Sequence, residues 1–286
     1  MITKQSVIGI VGLGVLGGSY AQALHSAGYE NIIGFDIDSE ALQYALENKW
    51  IKEGTEDPGR AIECDLLIFC LYPGVFAKWI RENRSHLKDD VLISDVTGVK
   101  RAVLNQINKE LPKSAEFIAC HPMAGRESKG IRFADAGRFQ NANFIIVPTE
   151  NNTPEAIETM RQLAQDMGFR RITCLSADEH DRMISFLSQL THVIAVSLMN
   201  ANDNTNLAEY TGDSFRDLTR IARINEDMWP ELFVLNKDFL IQDIDDFIRE
   251  LETFREMIQK EDTEGMKQKM ILSTERRQMF DGKEKK

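Results

Sequence analysis

Short apolar runs of strand length alternate with amphipathic, helix-length stretches through the first 176 residues. The runs are Ser6–Val11, Asn31–Asp36, Asp65–Leu71, Val91–Asp95, Glu116–Cys120, Phe144–Pro148 and Arg171–Leu175. Strands spaced by helices predict βαβ units, and hence a mostly parallel sheet wound by helices on both faces. Between the last two runs, the Asn152/Thr153 start and the Gly168 stop predict a helix over Thr153–Gly168.

From Ala177 onward no strand run recurs and the pattern turns helical. Met183, Leu187, Leu190, Ile194 and Ser197 fall at helical spacing and predict a core-facing stripe. Ser185, Ser188, Gln189 and His192 recur on the opposite side of the same helix. A stripe of hydroxyl, amide and imidazole groups without charge pairs reads better as the wall of a site than as a solvated face. Further on, Leu240, Ile244, Phe247, Leu251, Phe254 and Ile258 keep a four-three alternation. That seam needs a partner helix, and a second copy of the chain is the favoured partner. The expected division is 1–176 and 177–286, with a frayed tail from Asp281 to Lys286.

A length of 286 residues fits two domains. The formal charge of −11 argues against nucleic acid or an anionic membrane surface as partner. An anionic small substrate would therefore need a local arginine cluster. The apolar run near the start is broken by Gly9, Gly12 and Gly14, which excludes a signal peptide or span there and makes the cytoplasm the expected location. Cys64, Cys70, Cys120 and Cys174 show no metal or redox spacing and read as ordinary thiols. Cys120 and His121 are strand neighbours that point to opposite faces, so they are not read as a nucleophile and base.

Chemistry enters at Gly12-Leu13-Gly14-Val15-Leu16-Gly17, directly after the first strand and before a helix ending at Gly28. In that context the glycines serve a tight turn, close approach to a pyrophosphate and helix–sheet packing, the signature of a Rossmann-type nucleotide site. The pyrophosphate would sit on the helix N-terminus. Asp36 closes the second strand about 20 residues beyond Gly17, placed to accept the adenosine ribose hydroxyls. No lysine or arginine lies between Asp36 and Asn48 to meet a 2′-phosphate, so NAD is expected rather than NADP.

Ligands of doubly wound sheets lie beyond the carboxyl ends of the strands. Two turns there carry polar groups: Asp95-Val96-Thr97-Gly98-Val99-Lys100, and His121-Pro122-Met123-Ala124-Gly125-Arg126-Glu127. A dehydrogenase acting on an alcohol needs an acceptor for the hydroxyl proton, and His121 is the candidate. In the helical part, Arg216 and Arg220 stand four apart, either to hold a substrate carboxylate or to pair with Asp213 or Asp217 on the surface. His25, His86 and His180 lack motif context and read as ordinary helix or surface residues.

With these residues the chain resembles the prephenate/arogenate dehydrogenase family of tyrosine biosynthesis. The matching segments are Gly12–Ser19, Asp95–Lys100, His121–Gly125, Ser188–His192, and Phe215–Ala222 with Trp229. The resemblance implies an α/β Rossmann-type doubly wound sheet followed by an all-α C-terminal dimerisation domain, NAD as cofactor, no metal, and a homodimer. It implies that His121 draws off the ring hydroxyl proton, that Arg220 holds the ring carboxylate, and that His192 lies near the substrate. Two departures bear on recognition: Gly98 stands where members often carry serine, leaving Thr97 to supply a hydroxyl, and Gln189 stands where some have a second histidine. The chain is expected to have no room for the mutase or regulatory domains that some members carry. A β-hydroxyacid dehydrogenase is the nearest rival, but no lysine occurs between Lys129 and Lys237 to serve its chemistry. A non-catalytic NAD sensor would leave His121, Arg220 and the polar stripe without a purpose.

Overall fold

The computed structural model describes residues 2–125 and 128–280. Of the segments singled out above, Arg126, Glu127 and the tail Asp281–Lys286 lie outside the described residues.

The first half alternates as its apolar runs predict. In chain order come β1 (Ile8–Val11), α1 (Val15–Ser26), β2 (Ile32–Phe35), α2 (Ser39–Glu47), β3 (Glu53–Thr55), β4 (Leu66–Phe69), α3 (Pro73–Asn83), β5 (Leu92–Asp95) and α4 (Arg101–Glu110). They are followed by β6 (Glu116–Pro122), β7 (Asn143–Val147), α5 (Pro154–Asp166) and β8 (Arg171–Cys174). The described strands form one sheet in the order β3-β2-β1-β4-β5-β6-β7-β8. Every pairing is parallel except β6 with β7. That exception has a local cause: β6 and β7 are joined by short 3-10 turns at Ile131–Phe133 and Ala136–Asn141 instead of an α-helical crossover.

Because both faces are covered, the strands are apolar on both sides. Ile8, Ile10, Leu66 and Ile68 join the core beneath α1, α2 and α5. Val11, Leu67 and Phe69 join the one beneath α3 and α4. β3 escapes a reading by hydrophobicity because Glu53-Gly54-Thr55 is a short, half-buried edge strand with no apolar run. The start of α5 is as expected: Thr153 accepts the N–H of Ala156, Pro154 occupies the first turn, and Gly168 takes φ +90° beyond its end.

Beyond β8 the described chain is helical. α6 (Ala177–Ile184), one π-helical turn (Ser185–Gln189) and α7 (Leu190–Asn200) run on from one another. Of the predicted core stripe, Leu190 is buried and Met183 and Ile194 are half-buried, whereas Leu187, inside the π turn, is 46% exposed and Ser197 is exposed; Ile184, Ser185 and Gln189 are buried beside Leu190. Within Ala177–Asn200 an 18-residue window reaches a mean hydropathy of 1.3, so by length and composition alone this stretch could cross a membrane. α8 (Asp213–Thr219), a 3-10 turn (Arg220–Ala222) and α9 (Trp229–Leu235) follow.

The chain divides by compactness into two units, one running to Lys237 and one from Asp238. The second consists of α10 (Lys237–Gln259) and α11 (Thr263–Gln278), with Asp262 capping α11 through the N–H of Gly265 and Lys269 paired to Glu250.

Candidate active site

The loop between β1 and α1 shows which glycine does what. Gly12 has φ +91°, and a Cβ there would lie 2.9 Å from the Cys70 carbonyl oxygen. A Cβ on Gly17 would fall 1.8 Å from the Gly12 oxygen, so this position holds helix and loop in contact. A Cβ on Gly14 would meet nothing within 4 Å: it would project into open space in front of the α1 N-terminus, which has no side-chain cap. Asp36 binds this loop directly, Oδ2 accepting the N–H of Leu13 at 2.5 Å and Oδ1 that of Asp38 at 2.9 Å. An uncapped helix N-terminus behind an open glycine cradle, edged by a carboxylate, fits the pyrophosphate and ribose of a dinucleotide.

The same loop opens onto a cavity of about 470 Å³. Its walls come from Gly14–Leu16, Cys70–Pro73, Val96–Gly98, His121–Met123, and, on the helical side, Ser188, Gln189, His192, Met228, Trp229 and Leu232. The turns after β5 and β6 thus meet the polar stripe of α6–α7 across one space.

His121 is half-buried on the β6 end, and its Nδ1 lies 2.8 Å from Nε2 of His180. His180 is fully buried, and its Nδ1 lies 2.7 Å from Oδ1 of Asp181. Asp181 also accepts the N–H groups of Lys100 at 2.7 Å and Arg101 at 2.9 Å. Burial pushes the proton affinity of His121 well below the ordinary value of 6.5, with His180 and the Lys100 ammonium adding to the effect. Burial lowers that of His180 as well, against the opposing pull of Asp181. For Asp181, burial alone would raise the pKa; the bonds from His180 and the two backbone N–H groups outweigh it and hold it below the carboxylate range.

Beneath His121 lies a second buried group. Lys100, with no exposed surface, places Nζ 2.7 Å from Asp95 Oδ2 and also donates to the Cys120 carbonyl, while Asp95 Oδ1 accepts the Cys120 N–H. Thr97 belongs to this knot. Its hydroxyl bonds to Asp95 and the Val99 carbonyl and receives Lys100 at 3.2 Å. Cys120 is buried and its thiol is pushed up to about 12, which keeps it protonated and out of the chemistry.

On the opposite wall His192 donates Nδ1–H to the Ser188 carbonyl at 2.8 Å and stacks on Trp229, ring centroids 3.9 Å apart. Gln189 borders the cavity, but its amide works elsewhere: Nε2 donates to the Leu232 carbonyl at 3.0 Å and Oε1 accepts from Asn236 at 2.8 Å, tying the π turn to α9. Arg216 and Arg220 are not on the wall. Arg216 is an exposed partner of Asp213 at 3.3 Å and of the Thr211 carbonyl. Arg220 opens the 3-10 turn that packs along α7, so the two arginines do not share one continuous α-helix. Among the described lining residues the cationic side chain is Lys129, paired across the mouth with Glu226 at 3.5 Å and Asp227 at 3.2 Å.

Residues 20–173 match the family described as prephenate dehydrogenase, nucleotide-binding domain, and residues 176–272 match prephenate dehydrogenase, dimerization domain. The chain belongs to the prephenate dehydrogenase family. It is 28% identical to a prephenate dehydrogenase of Bacillus subtilis over 93% of this chain and 74% of that one. It is also 28% identical to a cyclohexadienyl dehydrogenase of Zymomonas mobilis, over 94% and 96%. A solved prephenate dehydrogenase from Aquifex aeolicus, in complex with hydroxyphenyl propionate and NAD+, superposes with a TM-score of 0.90 at 25% identity, covering 98% of this chain and 100% of that one. Within the family frame, what residue-by-residue reading missed is the pair behind His121. The S-x-x-E capping box Ser176–Glu179 marks the start of α6, but nothing local in His180-Asp181 points to a partner 59 residues away.

Proposed function

We propose that this protein catalyses the NAD-dependent oxidative decarboxylation of prephenate to 4-hydroxyphenylpyruvate, or of its amino counterpart arogenate to tyrosine, as a step of tyrosine biosynthesis in the cytoplasm. The observation that carries this reading is the single cavity that joins the glycine loop to His121, His192 and Trp229. The names of the relatives point the same way.

Gly12, Gly14 and Gly17 with the α1 N-terminus would hold the pyrophosphate, flanked by Leu13, Val15 and Leu16, and Asp36 the ribose. Bound NAD supplies the acceptor for the hydride leaving the hydroxyl-bearing ring carbon. His121 takes the hydroxyl proton through Nε2 as that carbon becomes a carbonyl. The bond to the ring carboxylate then breaks, carbon dioxide leaves, and its electron pair completes the aromatic ring. The phenolate oxygen recovers the proton from His121, so the base ends as it began. Charge balances without a proton released to water.

His192, packed against Trp229 with the rings inclined by 31°, forms the wall facing the ring. Arg220, on the turn along α7, is the group we assign to the ring carboxylate, with Arg216 beside it; both stand off the wall in the single chain, so this role requires them to swing over the cavity or to work in the assembled enzyme. Thr97 and Gln189 act by bracing their neighbours, given where their polar atoms are committed. We assign residues 1–176 to cofactor binding and 177–286 to substrate closure and a homodimer. Exposed Phe186 and Leu187 in the π turn, Leu251 and Ile258 on α10, and Met270 and Ile271 on α11 supply apolar surface for a second copy.

The test is to mix purified protein with NAD and either prephenate or arogenate and to follow NADH absorbance. NADH formation with either supports the reading, and the ratio of kcat/KM values identifies the substrate. Silence with both, in protein that binds NADH, rejects it.

A further inference from the structure

Three buried side chains stand in line behind the cavity, and their hydrogen-bonding capacities leave one arrangement of protons. Asp181 is an acceptor on both oxygens, taking the N–H groups of Lys100 and Arg101 as well as the His180 ring, with the Arg101 guanidinium Nε 3.5 Å from Oδ2. A carboxylate so surrounded has no proton to give. The 2.7 Å contact therefore requires the proton on His180 Nδ1. A neutral imidazole with Nδ1–H carries a lone pair on Nε2. The 2.8 Å contact to His121 then requires His121 to donate from Nδ1, which leaves the lone pair of His121 on Nε2, the ring nitrogen that serves the cavity.

We propose that His180 and Asp181 are positioning residues for the reaction base: through two hydrogen bonds in series they hold His121 in the Nδ1–H tautomer, with the Nε2 lone pair turned to the substrate hydroxyl. This deepens the assignment of His121 as base in the preceding subsection and rests on it. A group that fixes both the ring orientation and the tautomer of a histidine also stabilises the imidazolium formed when that histidine takes a proton.

The surroundings make that support necessary. The Lys100 ammonium lies on the β5 side, bonded to the Cys120 carbonyl one residue from His121, and opposes a second positive charge there. The Asp95 carboxylate that pairs with Lys100 is already committed, its Oδ2 to Lys100 and Thr97 and its Oδ1 to the Cys120 N–H. Asp181, relayed through His180, is the anion aligned with the ring of His121. The chain has no exposed member beyond His121, since His180 and Asp181 have no accessible surface. A sealed relay suits a reaction in which the proton is borrowed and returned.

The chain holds five histidines, few enough for their ring nitrogens to be resolved in a long-range 1H–15N spectrum of 15N-histidine-labelled protein. Wild-type protein should show both His121 and His180 as Nδ1–H tautomers, assigned by the loss of one ring's signals in His121→Asn and His180→Phe. His180→Phe, which fills the buried site but cannot accept a bond, should lower kcat on the order of 10²-fold or more with the KM for NAD unchanged. His180→Gln, whose side-chain oxygen can still accept from His121, should recover part of that loss. An Nε2–H tautomer at His121 overturns the proposal, as does turnover of His180→Phe within about twofold of wild type. If no cyclohexadienyl substrate is turned over at all, the reading of the reaction fails separately, and the tautomers still decide whether the relay exists.

Discussion

The carboxylate of Asp36 accepts the backbone N–H of Leu13, tying the end of β2 to the loop that begins α1. One side chain thereby shapes the glycine loop and edges the space where a ribose would lie. Asp36→Asn should raise the KM for NAD about 10- to 100-fold, the scale of losing hydrogen bonds to a charged acceptor. It should also narrow the preference for NAD over NADP, because the charge that repels a 2′-phosphate is gone. Steady-state rates with both cofactors measure this, and an unchanged preference would place discrimination elsewhere.

The glycine geometry separates binding from folding. Gly14→Ala places a methyl where no protein atom lies within 4 Å, at an ordinary negative φ of −74°. Its melting temperature should match wild type while NADH affinity falls. Gly17→Ala drives a methyl to 1.8 Å from the Gly12 oxygen and should lose stability and cofactor binding together. Calorimetry with and without NADH tests the pair; a Gly14→Ala protein that binds NADH normally contradicts the cradle.

His121→Asn should bind substrate about as well as wild type and lose roughly 10² to 10⁴ in turnover, the range for a positioned general base. The wild-type pH profile carries the sign. Burial lowers the His121 pKa, so the neutral, proton-accepting form persists through neutral pH, and kcat/KM should fall only on acidification well below 6.5. Stability follows the same direction. Depressed folded-state values at His121 and His180 give a contribution present in full above the unfolded pKa and lost as pH falls through the folded ones. An acid limb at or above 6.5 would argue against a desolvated base.

How much of this was legible in the sequence depends on the range of each interaction. The glycine loop, Asp36 and the Pro-anchored His121 are local signatures whose spacing is fixed by one βαβ unit. The Ser188–His192 stripe was readable as a wall because period alone sets a helix face. The π turn was not, since it changes the period within five residues, and Leu187, which helical spacing put on the core stripe, is 46% exposed in it. Long-range pairings left no local trace: His180 with His121, Asn236 with Gln189, and Lys100 with Asp95 are polar groups made tolerable by partners that only the fold supplies. Arg216 looked equally like a ligand or a surface pair, and in the structure it meets Asp213.

Arg220→Ala should chiefly raise the KM for the cyclohexadienyl substrate, by about 10- to 100-fold, with kcat little changed. Its place on the turn against α7, off the cavity wall, makes this a sharp test. A normal KM in the variant removes Arg220 from substrate binding and turns attention to Lys129, the cation at the mouth.

The exposed seam of α10 tests the assembly. Leu251 is 54% and Ile258 58% exposed, an apolar pair that water would not select on a helix face left bare. Replacing both with lysine, as Leu251→Lys with Ile258→Lys, leaves the helix intact, because these positions bury little within the chain and lysine has good helix propensity. If the seam meets its counterpart in a second copy, four like charges are brought into one apolar interface, and sedimentation should shift from dimer to monomer at micromolar protein. If it does not, the wild type and the double variant should sediment alike, and the dimer contact must be sought at Phe186 and Leu187 instead.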